Sequence, residues 1–385
     1  MTTSDWQRLK IGAFSALALM STSAAAVTID TDGKLAISAD DGSFAARLSA
    51  RVHADANMYS SDVIERDSGA FIRRARIGVS GHVRNWSYNI TFDNATDAAD
   101  LKDAYLARVL GPGRLIIGQF KQFQGFEELT SSNDIALIER SHVSNAMTAR
   151  AIGVGYHGRS GDIGWAVSGY NLREAADGGS RATDDGFGAV TRVYAAPFAE
   201  RDRALHIGAS FAWENSDDDG AGVRLRPAGR SNDGRFQLFD ITGERAEVER
   251  LNLELAGVLG PLAAQAEWLT GSADADNLPS DDFHSYYGQI SYALSAGAPR
   301  LYDVGQGRMR KPRPDGGSIG AFELVARYQY AERENVPGAE LTTMDFGVNY
   351  YPNNNVRFML NYSMAEDELV GDEPDLLSLR AQLAF

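Results

Sequence analysis

From Trp86 to Asp93 the chain alternates strictly: Trp86, Tyr88, Ile90 and Phe92 share one face of an extended strand, and Ser87, Asn89, Thr91 and Asp93 share the other. The same period of two recurs where Leu205, Ile207, Ala209, Phe211 and Trp213 oppose His206, Gly208, Ser210 and Glu214. It recurs again where Val356, Phe358, Leu360 and Tyr362 oppose Arg357, Asn361 and Ser363, and where Leu377, Leu379, Ala381, Leu383 and Phe385 oppose Ser378, Arg380 and Gln382. Blocks of roughly ten residues with this pattern are the signature of membrane-barrel strands, apolar side to lipid and polar side to the lumen. The expected fold class is all-β, a transmembrane antiparallel β-barrel of about sixteen strands. Their starts fall near Ser43, Ala70, Trp86, Leu101, Gly113, Thr148, Asp162, Gly186, Ala204, Glu247, Pro261, Phe283, Ile319, Leu341, Val356 and Asp375.

Between the blocks, Arg84-Asn85, Leu110-Gly111-Pro112 and Leu259-Gly260 carry turn chemistry and are expected as short periplasmic turns. The longer polar joins, Asn215 to Arg245 and Gly297 to Ser318, are expected as extracellular loops. A soluble β-sandwich also alternates. Three features favour the barrel. Trp86, Trp165, Trp213, Trp268, Tyr328 and Tyr350 fall on the apolar face, where an interfacial girdle lies. Arg, Glu, Asp and Asn persist on the opposite face, which suits water. The sequence ends on Phe385, an aromatic terminus of the kind that outer-membrane proteins use as an assembly signal.

The N-terminus supplies an address. Arg8 and Lys10 precede an apolar stretch from Ile11 to Met20, and Ala24-Ala25-Ala26 offers small residues for cleavage. Residues 1–26 are expected to be an export signal cut after Ala26, because about ten apolar residues are too few for a helix to cross a bilayer. The barrel domain is then 27–385, with room for a short periplasmic segment over 27–42. No later stretch is apolar enough for a transmembrane helix. Absence of cysteine excludes disulfides and thiol chemistry, and a net charge of −15 argues against a nucleic-acid partner.

Enzymatic and metal chemistry find little support. His53, His82, His142, His157, His206 and His284 are scattered without metal-ligand spacing, and no G-x-S-x-G elbow occurs. Gly153-Val154-Gly155-Tyr156-His157-Gly158 spells a dinucleotide fingerprint but sits in an alternating block, where small residues under a packed side chain explain it better. Asp217-Asp218-Asp219-Gly220 has the acids for a divalent cation, yet an acidic loop tip needs no ligand. Neither cofactor, metal nor catalytic residue is expected.

Arginines are more informative, because a planar guanidinium stays charged and grips phosphate or carboxylate with two bonds. Alternation places Arg47 and Arg51 on the lumen face opposite Phe44, Leu48 and Val52. Arg74 and Arg76 share a face opposite Phe71, Ala75, Ile77 and Val79, and Arg327, Arg357 and Arg380 join the same lumen. The stretch from Val223 to Phe236 adds Arg224, Arg226, Arg230 and Arg235. Lumen acids Asp93, Asp103, Glu214, Glu254, Glu267 and Glu323 oppose them, so the net lumen sign is open at this level.

From Phe71 onward the chain resembles the phosphate-selective porin O and P family. The likeness is carried by Phe71-Ile72-Arg73-Arg74-Ala75-Arg76-Ile77-Gly78, Leu101-Lys102-Asp103-Ala104-Tyr105 and Gly118-Gln119-Phe120-Lys121. It continues in Glu128-Leu129-Thr130-Ser131-Ser132, Ile138-Glu139-Arg140, Val223-Arg224-Leu225-Arg226-Pro227 and Asp240-Ile241-Thr242-Gly243. The resemblance implies a homotrimer of sixteen-stranded barrels, each narrowed by an inward-folded third loop, here Gln122 to Met147. It implies a pore constriction built from Arg73 or Arg74, Asp103, Ser131, Ser132 and Arg140, with Arg224 and Arg226 feeding anions inward; alternation adds Arg76, on the same face as Arg74, to that expected constriction. Thr130-Ser131-Ser132 is followed by Asn133-Asp134 where the family carries a basic residue, and Glu127 and Glu128 add negative charge.

The expected function is an outer-membrane porin for passive diffusion of small hydrophilic solutes, with small anions or phosphate as the sharper version. Its partners would be those solutes, outer-membrane lipid and lipopolysaccharide. The alternatives are a general or cation-preferring porin, a barrel enzyme and a sealed structural barrel. Hydrolysis of lipid or peptide discriminates the enzyme, and bilayers without conductance discriminate the sealed barrel.

Overall fold

A computed structural model describes residues 27–30, 35–95, 100–172, 186–216, 220–295, 298–314 and 319–385. The expected export signal and Asp217 to Asp219 lie outside the described residues. Two short strands, β1 (Val27–Asp30) and β2 (Ala36–Ala39), pair with each other, and β2 also pairs with the start of the first long strand. The wall then runs β3 (Phe44–Ser60), β4 (Gly69–Val83), β5 (Trp86–Asp93), β6 (Asp100–Leu110), β7 (Gly113–Lys121), β8 (Arg150–Ser160), β9 (Ile163–Asn171), β10 (Phe187–Ala199) and β11 (Arg203–Asn215). A hairpin of β12 (Gly220–Leu225) and β13 (Phe236–Thr242) intervenes before β14 (Glu247–Leu259), β15 (Leu262–Ala275) and β16 (Leu278–Ala293). A smaller hairpin, β17 (Leu301–Asp303) and β18 (Arg308–Arg310), precedes β19 (Ala321–Arg333), β20 (Glu340–Tyr351), β21 (Val356–Asp367) and β22 (Asp375–Ala384).

Sixteen of these strands form a closed antiparallel barrel, because β22 pairs with β3 from Asp375 opposite Ser60 to Ala384 opposite Arg51. Closure leaves no open edge among the wall strands, which a membrane requires of any sheet that crosses it. The alternation reads out as expected. On β22, Leu379 and Leu383 are exposed while Leu376, Ser378, Arg380 and Gln382 are buried. Trp268, Tyr328, Phe346 and Phe358 likewise face outward. Gly153 to Gly158 is strand β8, in keeping with packing and not with a nucleotide loop; a Cβ on Gly155 would lie 2.7 Å from the Phe123 ring.

Two sequence expectations change. Between His53 opposite Arg74 and Ala54 opposite Ile72, Arg73 is an extra residue, a β-bulge. The bulge resets the alternation, so Phe71 lies opposite the inward Asp55 and not on the outer face with Ile77 and Val79. It also lets Arg73 and Arg74, adjacent in sequence, both line the lumen. The second change concerns 297–318. Its flanks, β16 and β19, meet where Ala293 lies opposite Glu323, next to the turn that joins Leu259 to Leu262. That is the short-turn end, so the described part of the segment, residues 298–314, is periplasmic and not extracellular. Strand parity decides the side, and length alone misleads.

This periplasmic segment turns up into the barrel. Arg192 on β10 donates to the carbonyls of Gln306 (3.0 Å) and Gly307 (2.7 Å), Tyr194 to that of Val304 (2.8 Å), and the Tyr302 hydroxyl meets His206 Nδ1 at 2.7 Å. From the opposite end the β12–β13 hairpin folds inward and packs a dry core on the walls of β14 to β20. Phe239 stacks on Phe283 at 4.7 Å, and Leu225, Leu238, Leu269 and Leu341 are fully buried around them. One side of the lumen is thus filled, and the water-accessible passage is pushed toward β3 to β8.

Candidate pore constriction

The chain between β7 and β8, residues 122–149, enters the barrel and carries two single-turn helices, α1 (Phe126–Leu129) and α2 (His142–Asn145). Buried backbone groups away from regular ladders need partners, and the wall provides them. Glu267 accepts from the N–H groups of Phe126 (2.6 Å) and Glu127 (2.9 Å). Arg357 donates to the carbonyls of Ile135 (2.7 Å) and Ala136 (3.0 Å), Arg380 to Ile138 (2.9 Å), and Arg327 to Glu139 (3.2 Å). Arg300 and Arg308, from the periplasmic segment, hold the carbonyls of Asp134 (2.7 Å) and Leu129 (3.1 Å). A guanidinium has five donors, so each of these arginines that faces a carboxylate can serve a carbonyl as well. Three arginines that alternation placed in the lumen, Arg327, Arg357 and Arg380, therefore position the loop.

Across from the loop lies a cavity of about 1030 Å³. It collects Arg47, Arg51, Arg73, Arg74, Arg76, Asp103, Ser131, Ser132 and Arg140, all nominated by sequence. Arg51 donates to Ser132 Oγ at 2.8 Å, which ties the wall to the loop. Arg76 pairs with Asp93 (2.7 Å), and Asp103 is held by Arg150 (3.0 and 3.2 Å). Arg74 differs: its Nη1 lies 3.4 Å from His53 Nδ1, and among the described residues its buried Nε has no partner and no carboxylate bonds it. Arg140 is more structural than the sequence suggested, since it donates to the carbonyls of Glu127 and Thr130 and faces Glu128 at 3.3 Å. Ser131 caps the next turn by accepting from Asn133 N–H.

Arg226 and Arg224 separate. Arg226 bonds Ser231 and Asn232 and lines a small second cavity with Arg73, Arg140 and Arg230, whereas Arg224 is exposed and bonds Gln237. Sequence reasoning did not nominate Lys121 and Arg150, which sit opposite each other at the stem of the inward loop. Their position was readable, because the last residues before and after such a loop stand at the height of the constriction. Arg308 and Arg192 gave no signal, since both depend on the periplasmic segment entering the lumen.

The loop acids do not leave bare negative charge in the passage. Glu128 meets Lys121 at 2.8 Å and Arg140; burial opposes its charge, but Arg140 and Lys121 overcome that and hold the carboxyl at about 2. Glu127 accepts from Ser141 N–H at 2.7 Å and faces Arg327 at 3.5 Å, and Asp134 accepts from Lys311 N–H. Deleting Ser131 to Ile135 removes both the Arg51 contact and a carbonyl that anchors Arg357. The expected result is a larger single-channel conductance in planar bilayers. A deletion channel of wild-type conductance would show that the loop does not set the bore.

Comparison with known proteins places these features. The family model described as phosphate-selective porin O and P matches residues 47–385. Porin O of Pseudomonas aeruginosa is 26% identical, over 98% of this chain and 97% of its own. Among solved structures, the trimer form of the outer-membrane protein OmpT of Vibrio cholerae superposes with a TM-score of 0.60 at 11% identity, covering 89% of this chain and 100% of that one. The anion-selective porin from Comamonas acidovorans gives a TM-score of 0.58 at 10% identity over the same shares. At such identities the solved structures establish a shared barrel fold.

Proposed function

The chain belongs to the phosphate-selective porin O and P family and forms a channel in the bacterial outer membrane, and we propose that this channel passes small anions, phosphate among them, in preference to cations. The observation that carries this reading is the sign of the passage. Among the described residues, the wall of the main cavity holds eleven Lys and Arg against three Asp and Glu, with Asp93, Glu254 and Asp303 behind it pairing three of those arginines, in a chain whose net charge is −15. A narrow passage between low-dielectric walls focuses such a field, so it raises the local anion concentration without any chemistry. Among the described residues, Arg51 and Arg74 bond no carboxylate, and Ser131 and Ser132 line the same cavity. An anion there exchanges hydration for several shared bonds, which supports entry and still permits release.

We read the assembly as a homotrimer. The outward face of β3 carries the small Ala54 and Ala56 between the exposed Val52 and Met58, an apolar strip that a second barrel can cover, and the V. cholerae relative in fold was solved as a trimer.

Reversal potentials across a potassium chloride gradient, with the purified protein in planar bilayers, test the selectivity. The expected sign is that of chloride permeation, with phosphate added to one side reducing the chloride current. A cation-preferring wild type would overturn the anion reading and leave the family and the channel intact.

A further inference from the structure

Ion pairs inside this barrel range from short and fully buried to long and partly exposed. Arg380 grips Asp55 at 2.6 Å, Arg192 grips Glu254 at 2.6 Å and Arg300 grips Glu323 at 2.6 Å, and each of these carboxylate side chains is at most 1% exposed. Such pairs are short, dry and structural. Glu139 stands apart. Its contacts to Arg73 are 3.3 and 3.4 Å, its contact to Arg380 is 3.9 Å, and its side chain is 27% exposed.

The backbone around Glu139 is held firmly. Ile138 donates its N–H to Asn361 Oδ1 at 2.8 Å and gives its carbonyl to Arg380, and the Glu139 carbonyl is taken by Arg327. The main chain therefore aims a loosely held carboxylate at one place, and that place is the junction of the two cavities, both of which it lines. Arg73 projects there because of the β-bulge, and Arg226 and Arg230 reach the same small cavity from the β12–β13 hairpin. Burial works against the charge of Glu139, but Arg73 and Arg380 overcome it and hold this loop carboxyl at about 2, so it is ionised at any working pH.

Resting on the anion reading above, we propose that the Glu139 carboxylate is a tethered stand-in for the permeating anion: it occupies the arginine cluster between the two cavities when no solute is there, and an incoming oxyanion displaces it from Arg73. The arrangement sets how tightly the passage binds its solute. It keeps the arginines from repelling one another in the empty pore, and it competes with the solute for the same donors, which weakens binding and speeds release. Long contacts and partial exposure are what a displaceable ligand needs, whereas the 2.6 Å pairs deeper in the wall would not yield.

The test compares wild type, Glu139→Gln and Glu139→Asp in planar bilayers, each verified as a heat-modifiable barrel on a semi-native gel, with inorganic phosphate titrated against the chloride current. Removing the competitor in Glu139→Gln is expected to lower the half-blocking phosphate concentration by about tenfold, the scale of one charge-assisted hydrogen bond. Glu139→Asp keeps the charge but draws the carboxylate back by one methylene, so it also frees Arg73 and is expected to lower that concentration, by less. If Glu139→Gln strengthens block while Glu139→Asp matches wild type, net charge alone acts and the stand-in role is overturned. If neither differs from wild type, it is overturned as well. A wild type that prefers cations, with phosphate block tighter than wild type in both variants, would refute the anion reading and uphold the tethered carboxylate.

Discussion

Leu379→Arg is expected to weaken sharply the folded-barrel band on a semi-native gel. Leu379 lies in the middle of β22, 44% exposed on the outer face, opposite Leu360 on β21 and Ala56 on β3. Near the bilayer midplane an outward Arg costs about 2 to 4 kcal/mol, falling toward 1 or less at the rim. That is a large part of the roughly 5 to 15 kcal/mol that holds a typical domain together. The position makes it worse, because β22 is the strand that closes the sheet on β3, and losing it exposes two strand edges to lipid. Arg380, one residue on, is buried, bonds Asp55 and anchors Ile138, so the same side chain is tolerated on one face and excluded from the next. A heat-modifiable band of wild-type intensity for Leu379→Arg would contradict the outward placement.

How much of this was legible follows from what each signal depends on. The period-two pattern is local, so the expected starts at Trp86, Gly113, Glu247, Val356 and Asp375 coincide with observed strand starts. The expected start at Phe283 is late because Leu278-Pro279-Ser280-Asp281-Asp282 is polar and turn-like, yet it continues β16 beyond the apolar band to a two-residue turn at Asp276-Asn277. The bulge at Arg73 was hidden, since the sequence carries an extra residue only relative to a partner strand that it cannot name. At the constriction, residue types were readable and their duties were not. Arg357 and Arg51 look alike as inward arginines; one holds two loop carbonyls and the other faces the cavity. That division depends on where the inward loop passes, and only the three-dimensional path fixes it.

The same division decides which arginines to remove to test selectivity. Arg76→Ala or Arg150→Ala would leave Asp93 or Asp103 without its partner, so a shift toward cations would report an exposed carboxylate as much as a lost anion donor. Arg140→Ala would free two loop carbonyls and blur selectivity with loop collapse. Arg51 and Arg74 meet these objections least: Arg51 bonds one serine hydroxyl of the loop and no loop carbonyl, Arg74 approaches a histidine, and neither bonds a carboxylate among the described residues. Replacing both with Ala removes two positive charges from the passage and orphans no acid. Charge-assisted hydrogen bonds are worth about 1.5 to 3 kcal/mol each, and about 1.4 kcal/mol is tenfold in affinity. Since an anion shares these donors with Arg73 and Arg76, the expected loss is about tenfold to a hundredfold in the half-blocking phosphate concentration. The anion-to-cation permeability ratio should fall toward or below unity. The measurement belongs near 0.1 M salt, where charges act over about 10 Å, because at 1 M the range shrinks to about 3 Å and hides the difference. A double variant with wild-type permeability ratio and wild-type phosphate block would remove Arg51 and Arg74 from the mechanism and move the source of selectivity to the hairpin arginines at the mouth.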